Sequence, residues 1–160
     1  MRKIQALILS SHKDRLSRAV GHYSQFVDRI TVCDESLNGH IRNTGWINDH
    51  ESDWVLVVDD NELVEFPNGV QETLAAYDEA RLKIARAIGF DELTGPLQYT
   101  LKKNPWLDKP VLFSPRRIMS INFSPCGSTC LAMDIDKNAV TCPLLTAEPE
   151  IHLIRKPVIK

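Results

Sequence analysis

The chain lacks any apolar run approaching the roughly 20 residues that a membrane-spanning helix needs. The opening "MRKIQALILSSHK" has too short an apolar part for a secretory leader, and "SSHK" is no cleavage site. It reads as a first strand, and the expected location is cytoplasmic. There is no glycine-rich phosphate loop of the Walker or dinucleotide type, which sets aside two familiar backbone cradles for nucleotides. Charge of one sign is missing too. The net charge is -2, so no global basic field advertises nucleic-acid binding. No internal repeat or low-complexity segment appears. At 160 residues, 43% hydrophobic and 25% charged, the composition suits one globular domain around a single core. Cysteine is scarce: Cys33, Cys126, Cys130 and Cys142. Cys126 and Cys130, with Cys142 and His152, can be drawn as a zinc site. Structural zinc spacing uses two close pairs, however, and only one is here. Reduced cysteines packed as small apolar residues are the better account.

What is present is an alternation of strand and helix signals. "IQALILSS" is a compact apolar run bounded by polar residues, a buried strand. In "SHKDRLSRAVGHYSQFVD", Leu16, Ala19, Val20, Tyr23 and Val27 recur at helical spacing. Ser11 and Asp14 resemble a capping box there, and His22 falls on the exposed face. "RITVCDE" is a second strand, "LNGHIRNTGWINDHES" a short helix and "DWVLVVDD" a third strand. "FPNGVQETLAAYDEARLKIARAIGF" reads as mostly helical, with Val70, Leu74 and Tyr77 on one face. This order predicts right-handed crossover units and a mainly parallel sheet flanked by helices. After about residue 94, prolines punctuate "PVLFSP", "RIMSINFS", "TCLAMD" and "EIHLIR", which read as short mixed strands. Residues 95–160 would make a poor core alone, so the two parts, 1–94 and 95–160, belong to one domain.

Two of the strands end in acids: Asp34 and Glu35 after the second, Asp59 to Glu62 after the third. In an open parallel sheet, ligands bind beyond the carboxyl ends of the strands. Carboxylates gathered at one edge repel unless something positive compensates them. Mg²⁺ or Mn²⁺ holding a phosphate-bearing ligand is the natural candidate, because both take oxygen ligands. The bland reading is that Asp and Asn close strands because they start turns and cap helices. Both readings stand on the residues alone.

"IQALILSSHKDRLSRAVGHYSQFVDRITVCDES" resembles the opening of nucleotide-sugar glycosyltransferases of family 2, with an Asp-x-Ser turn in "CDES". "IRNTGWINDHESDWVLVVDDNE" is similar to their next section, where an Arg-Asn-x-Gly helix precedes a strand ending in Asp-x-Asp. "EIHLIRK" resembles a late His-containing strand of related enzymes. The resemblance covers most of the chain. It implies a single Rossmann-like α/β domain of the GT-A type, with a nucleotide-binding part over 1–94 and an acceptor-side part over 95–160.

The resemblance also implies roles. Asp34, with Glu35 beside it, would contact the nucleotide base, and Arg42 and Asn43 would lie near the nucleotide. Asp59 and Asp60 would grip the donor, while Asp59, Asn61 and His152 would hold Mn²⁺ or Mg²⁺. The implied activity moves a sugar from a nucleotide-diphosphate donor to a hydroxyl acceptor, either a carbohydrate or another hydroxyl, a modified nucleobase included. An inverting transfer needs a carboxylate base. Asp134, Asp136, Glu148 and Glu150 are the candidates, unranked by the sequence; Asp134 and Asp136 flank Ile135 and would share one side of a strand. Trp54 opens an apolar strand and belongs to the core; Trp106, in a Pro-bounded loop, is the better acceptor-site residue. Two alternatives remain open at this stage. One is a non-catalytic descendant that binds a nucleotide or sugar. The other is a different metal-dependent α/β enzyme of phosphate chemistry using the same acids.

Overall fold

Three strands open the sheet in parallel, β1 (Ile4–Ser10), β2 (Arg29–Asp34) and β3 (Trp54–Asp59), in the order β2-β1-β3. β1 and β3 are buried on both faces, which is why their sequences do not alternate. The structure is a computed structural model that describes residues 1–10, 13–34, 52–94, 99–123 and 130–155. Between β1 and β2 runs α1 (Lys13–Tyr23), which buries Ala19 and Tyr23 and lays Leu16 and Val20 on the same core. No helix among the described residues is long and apolar enough to cross a membrane.

Beyond β3 the sequence expectation needs correction. β4 (Glu62–Glu65) follows after a two-residue turn, and α2 (Val70–Glu79) is shorter than its pattern suggested. "IARAIGFDELT" is not helix but β5 (Ile84–Thr94). The helix stops where Arg81 turns to φ 56, a left-handed conformation that helices use to end. A fully buried strand and a buried helical segment look alike in periodicity, so the apolar run misled. β6 (Tyr99–Lys103), a 3-10 turn (Pro105–Leu107), β7 (Lys109–Phe113), β8 (Ile118–Phe123), β9 (Cys130–Asp134), β10 (Ala139–Thr141) and β11 (His152–Arg155) complete the described elements.

The main sheet runs β2-β1-β3-β7-β5-β11-β4, with β6 also on β5. It is mixed rather than mainly parallel. β7 is antiparallel to both β3 and β5, β6 is antiparallel to β5, and β4 is antiparallel to β11. Among the described residues, helices do not flank it on both sides, and with its mixed, curled strands the helix-flanked, Rossmann-like class does not hold. α1 and α2 pack on one face, with Tyr23, Leu74 and Tyr77 against Ile4, Ile8, Trp54 and Leu56. On the other face lies a separate antiparallel sheet, β10-β9-β8, whose Ile118, Ile121, Cys130 and Cys142 meet Leu7, Val55, Val57 and Phe113.

The main sheet also curls. β3 and β4 are joined by Asp60 and Asn61 alone, yet they stand four places apart in the strand order. Four strand spacings in a flat sheet would be about 19 Å. Three Cα-to-Cα steps reach at most about 11 Å. Only a curled sheet brings the β4 edge back towards β3.

Gly89 allows a bulge to close against β5. β6, the 3-10 turn and β7 form one interrupted strand beside β5, and the interruption closes on Gly89. A Cβ there would lie 2.3 Å from Leu107 Cβ and 2.9 Å from the Asn104 carbonyl oxygen. The Asn104 amide donates to the Gly89 carbonyl at 2.8 Å, and the Gly89 amide to Asp108 Oδ1 at 2.7 Å.

Candidate functional site

The registers gather the strand ends at one rim. Ser10 pairs with Asp34 on one side, and Leu9 with Asp59 on the other. Two strand spacings separate the backbones of Asp34 and Asp59, about 10 Å. Continuing the β3–β7 register from Val55↔Phe113 sets Asp59 opposite Lys109. Ala87 of β5 pairs with Lys109 as well, so β5 beyond Ala87, with β6 beside it, extends past the rim. On that wall, the bulge presents Trp106, whose surface is 93% exposed. Pro105 starts its turn and Asn104 Oδ1 accepts from the Trp106 amide at 3.1 Å.

The acids at the rim have distinct environments. Asp60 is the buried one, its side chain 4% exposed, with Ser10 Oγ donating to Oδ2 at 3.2 Å and Arg15 3.8 Å from Oδ1. Glu62, 7% exposed, pairs with Lys109 Nζ at 2.6 Å and accepts from the Asp59 amide at 2.9 Å. Asp59 is open, its side chain 38% exposed, with Lys109 Nζ 3.8 Å away. Much of the compensation expected of a bound cation is therefore supplied by Lys109 and Arg15.

A Mg²⁺ or Mn²⁺ ion carried in with a diphosphate needs only one or two protein oxygens. Asp59 offers an accessible carboxylate, and Asn61, half-buried in the same turn, an amide oxygen. Asp60 and Glu62 are committed to their own partners. His152 does not join them. It pairs in register with Glu65, three residues along β4 from Glu62, or about 10 Å. Its Nε2 lies 3.2 Å from Glu150, and its ring packs 4.8 Å from Phe90. Among the described residues, no three His, Cys, Asp or Glu side chains are arranged to hold a metal.

Asp134 and Asp136 stand elsewhere. Asp134 pairs with Lys83 at 3.0 Å, beside the start of β5. Through Ile84 and Phe113 that position is level with Val55, four residues or about 13 Å along β3 from Asp59. The backbone amides of Asn138 and Asp136 also donate to Asp134, each at 2.9 Å. These amides, with Lys83, hold its carboxyl below the usual range against the opposing effect of burial. Asp136 is exposed in the turn after β9, so the two do not share a side of one strand. Glu35, Arg42 and Asn43 lie outside the described residues, as do His12, Trp46, Cys126 and most of "LNGHIRNTGWINDHES".

Sequence reasoning missed three side chains at this site. Lys109 precedes an apolar run, and a cation at the mouth of a buried strand was the available signal. Tyr23, one of the residues at helical spacing, is fully buried, and its hydroxyl donates to the Glu62 carbonyl at 2.7 Å and accepts from the Val64 amide at 3.0 Å. His22, expected on the exposed face, is half-buried and donates from Nε2 to the Val64 carbonyl at 2.8 Å. Together they occupy the backbone groups along the outer edge of β4 and brace the acidic turn from behind.

No family model matches the chain, and no curated protein matches it. Among solved structures it is similar to the crystal structure of A197 from STIV, at 10% identity and a TM-score of 0.44, over 92% of this chain and 98% of that one.

Proposed function

We propose that the rim binds a nucleotide-diphosphate sugar and that the protein passes the sugar to a hydroxyl acceptor. The observation that carries this reading is the in-register convergence of Ser10, Asp34 and Asp59 at one edge, with Asp59 open beside Lys109. Asp59 and Asn61 would hold Mn²⁺ or Mg²⁺. When bound, such an ion stabilises the negative charge that grows on a departing diphosphate. The chain's own residues do the rest. Lys109, fixed by Glu62, adds positive charge at the same rim. The β5–β6 wall limits the site on one side, and Trp106 offers a flat apolar face against which an acceptor sugar or base can stack.

A uridine diphosphate with Mn²⁺ should raise the melting temperature, because a ligand that binds only the folded state stabilises it. Asp59→Ala should abolish that rise while leaving the unliganded melting temperature little changed, the side chain being partly exposed. Equal shifts in both proteins would remove the rim from consideration. A second reading, binding without turnover, is favoured by one observation: Asp134, a base candidate, is tied to Lys83 far from Asp59. Incubation with a panel of nucleotide sugars separates the two, since a binder shifts in melting temperature yet releases no nucleoside diphosphate.

A further inference from the structure

We propose that Cys130 and Cys142 are an oxidation site, a buried thiol pair that closes to an intramolecular disulfide without rearranging the fold. The placement follows from the hairpin. β9 and β10 are antiparallel, with Ala139↔Met133, Val140↔Ala132 and Thr141↔Leu131. One step further sets Cys142 opposite Cys130. Residues directly opposite in such a ladder have Cα atoms about 4.5–5.5 Å apart. Disulfides need about 4.4–6.8 Å.

Both side chains point the same way. Cys130 is 6% exposed and Cys142 7%, and both join the core between the two sheets. Both are free, buried thiols. Cys33, the other described cysteine, sits on β2 in the main sheet, away from this hairpin. Access is available from the outside. β10 has three residues, its outward positions are exposed, and Leu144 and Leu145 just after it are largely in solvent. Short strands of this kind open locally at low cost.

The reaction is thiol–disulfide exchange with a small-molecule disulfide, for which oxidised glutathione is the probe. One cysteine thiolate attacks a glutathione sulfur and expels one glutathione thiolate. The other cysteine thiolate attacks the protein-side sulfur of the mixed disulfide and expels the second glutathione. Two protons leave the protein thiols, the pair loses two electrons, and one oxidised glutathione becomes two reduced molecules. Burial and the neighbouring thiol push the Cys130 thiol up, so closure is slow at neutral pH and faster as pH rises.

The test uses the full chain carrying Cys126→Ser, so that residues 118–137 contain Cys130 as their sole thiol. After oxidation and alkylation, trypsin should release 118–137 joined to 138–155, cut apart at Lys137. The closed protein should stay monomeric, melt several degrees higher, and revert with dithiothreitol. Adding Cys142→Ser should remove the linkage and the shift together. In the wild type, the same Cys130–Cys142 link should dominate. Stable glutathione on either cysteine, or a Cys126 linkage prevailing in the wild type, would overturn the assignment. So would two alkylated cysteines in a protein that remains folded at alkaline pH.

Discussion

At the scale of single residues, the rim is set by how each acid is compensated. Lys109 and Glu62 are both buried, and the pair is closed by a 2.6 Å contact. Removing one partner leaves the other charged and dry, which typically costs about 3–5 kcal/mol. Lys109→Met should therefore lose stability of about that size in urea unfolding. Lys109→Met with Glu62→Leu should recover most of it, because an apolar pair of similar volume is often neutral. Asp59 was legible as a strand-end acid because a buried run stopped abruptly at it. Lys109 was not, since its partner carboxylate, Glu62, lies 47 positions away in the chain and only the fold brings them together.

At the scale of elements, the instructive case is β4. Glu62 and Glu65 bracket only two apolar residues, and a four-residue segment of that kind carries almost no strand signal. It exists because β11 pairs with it on one side and α1 closes it on the other. An edge strand with open backbone groups invites pairing with other chains. The Tyr23 hydroxyl and the His22 ring occupy those groups instead. Tyr23→Phe keeps the ring packing and deletes only the hydroxyl, leaving the Val64 amide without it. That should cost about 1–3 kcal/mol by chemical denaturation. A variant as stable as the parent would show that the hydroxyl contributes nothing to holding β4. β1, β3 and α1 were readable because their apolar patterns match their burial. β5 was not, because a strand buried deep in a curled sheet has no period to read.

At the scale of the molecule, two cores lie on opposite faces of one sheet, and ion pairs tie the outer layers to it. Lys83 with Asp134 fastens the small sheet to the start of β5. Arg2 and Arg117 both donate to Asp78 at the end of α2. Burial pushes the Asp78 carboxyl up, and the two arginines more than reverse this, leaving it below its ordinary value. Asp134 is likewise lowered. A depressed carboxyl contributes stability that is full above its unfolded-state pKa, near 4, and lost as pH falls through the lower folded value. Stability should thus decline below about pH 4. The difference between the parent and Asp134→Asn should narrow over the same acid range in unfolding titrations. A gap that stays constant from pH 6 to pH 2 would mean the charge on Asp134 is not what fastens the hairpin. The parallel sheet edge was visible in the sequence. The second sheet's place over the opposite face was not, since nothing local tells a short strand which layer it covers.

The position of β11 has a consequence for how the chain is made. This late strand does not sit at an edge; it fills the slot between β5 and β4. A polypeptide emerging from the ribosome holds that gap open until Glu150 to Arg155 have been synthesised. Until then β4 has no ladder partner and the curl cannot set. Assembly of the acidic turn is therefore an event that waits for β11, and nascent chains halted before residue 150 should be the ones that chaperones retain.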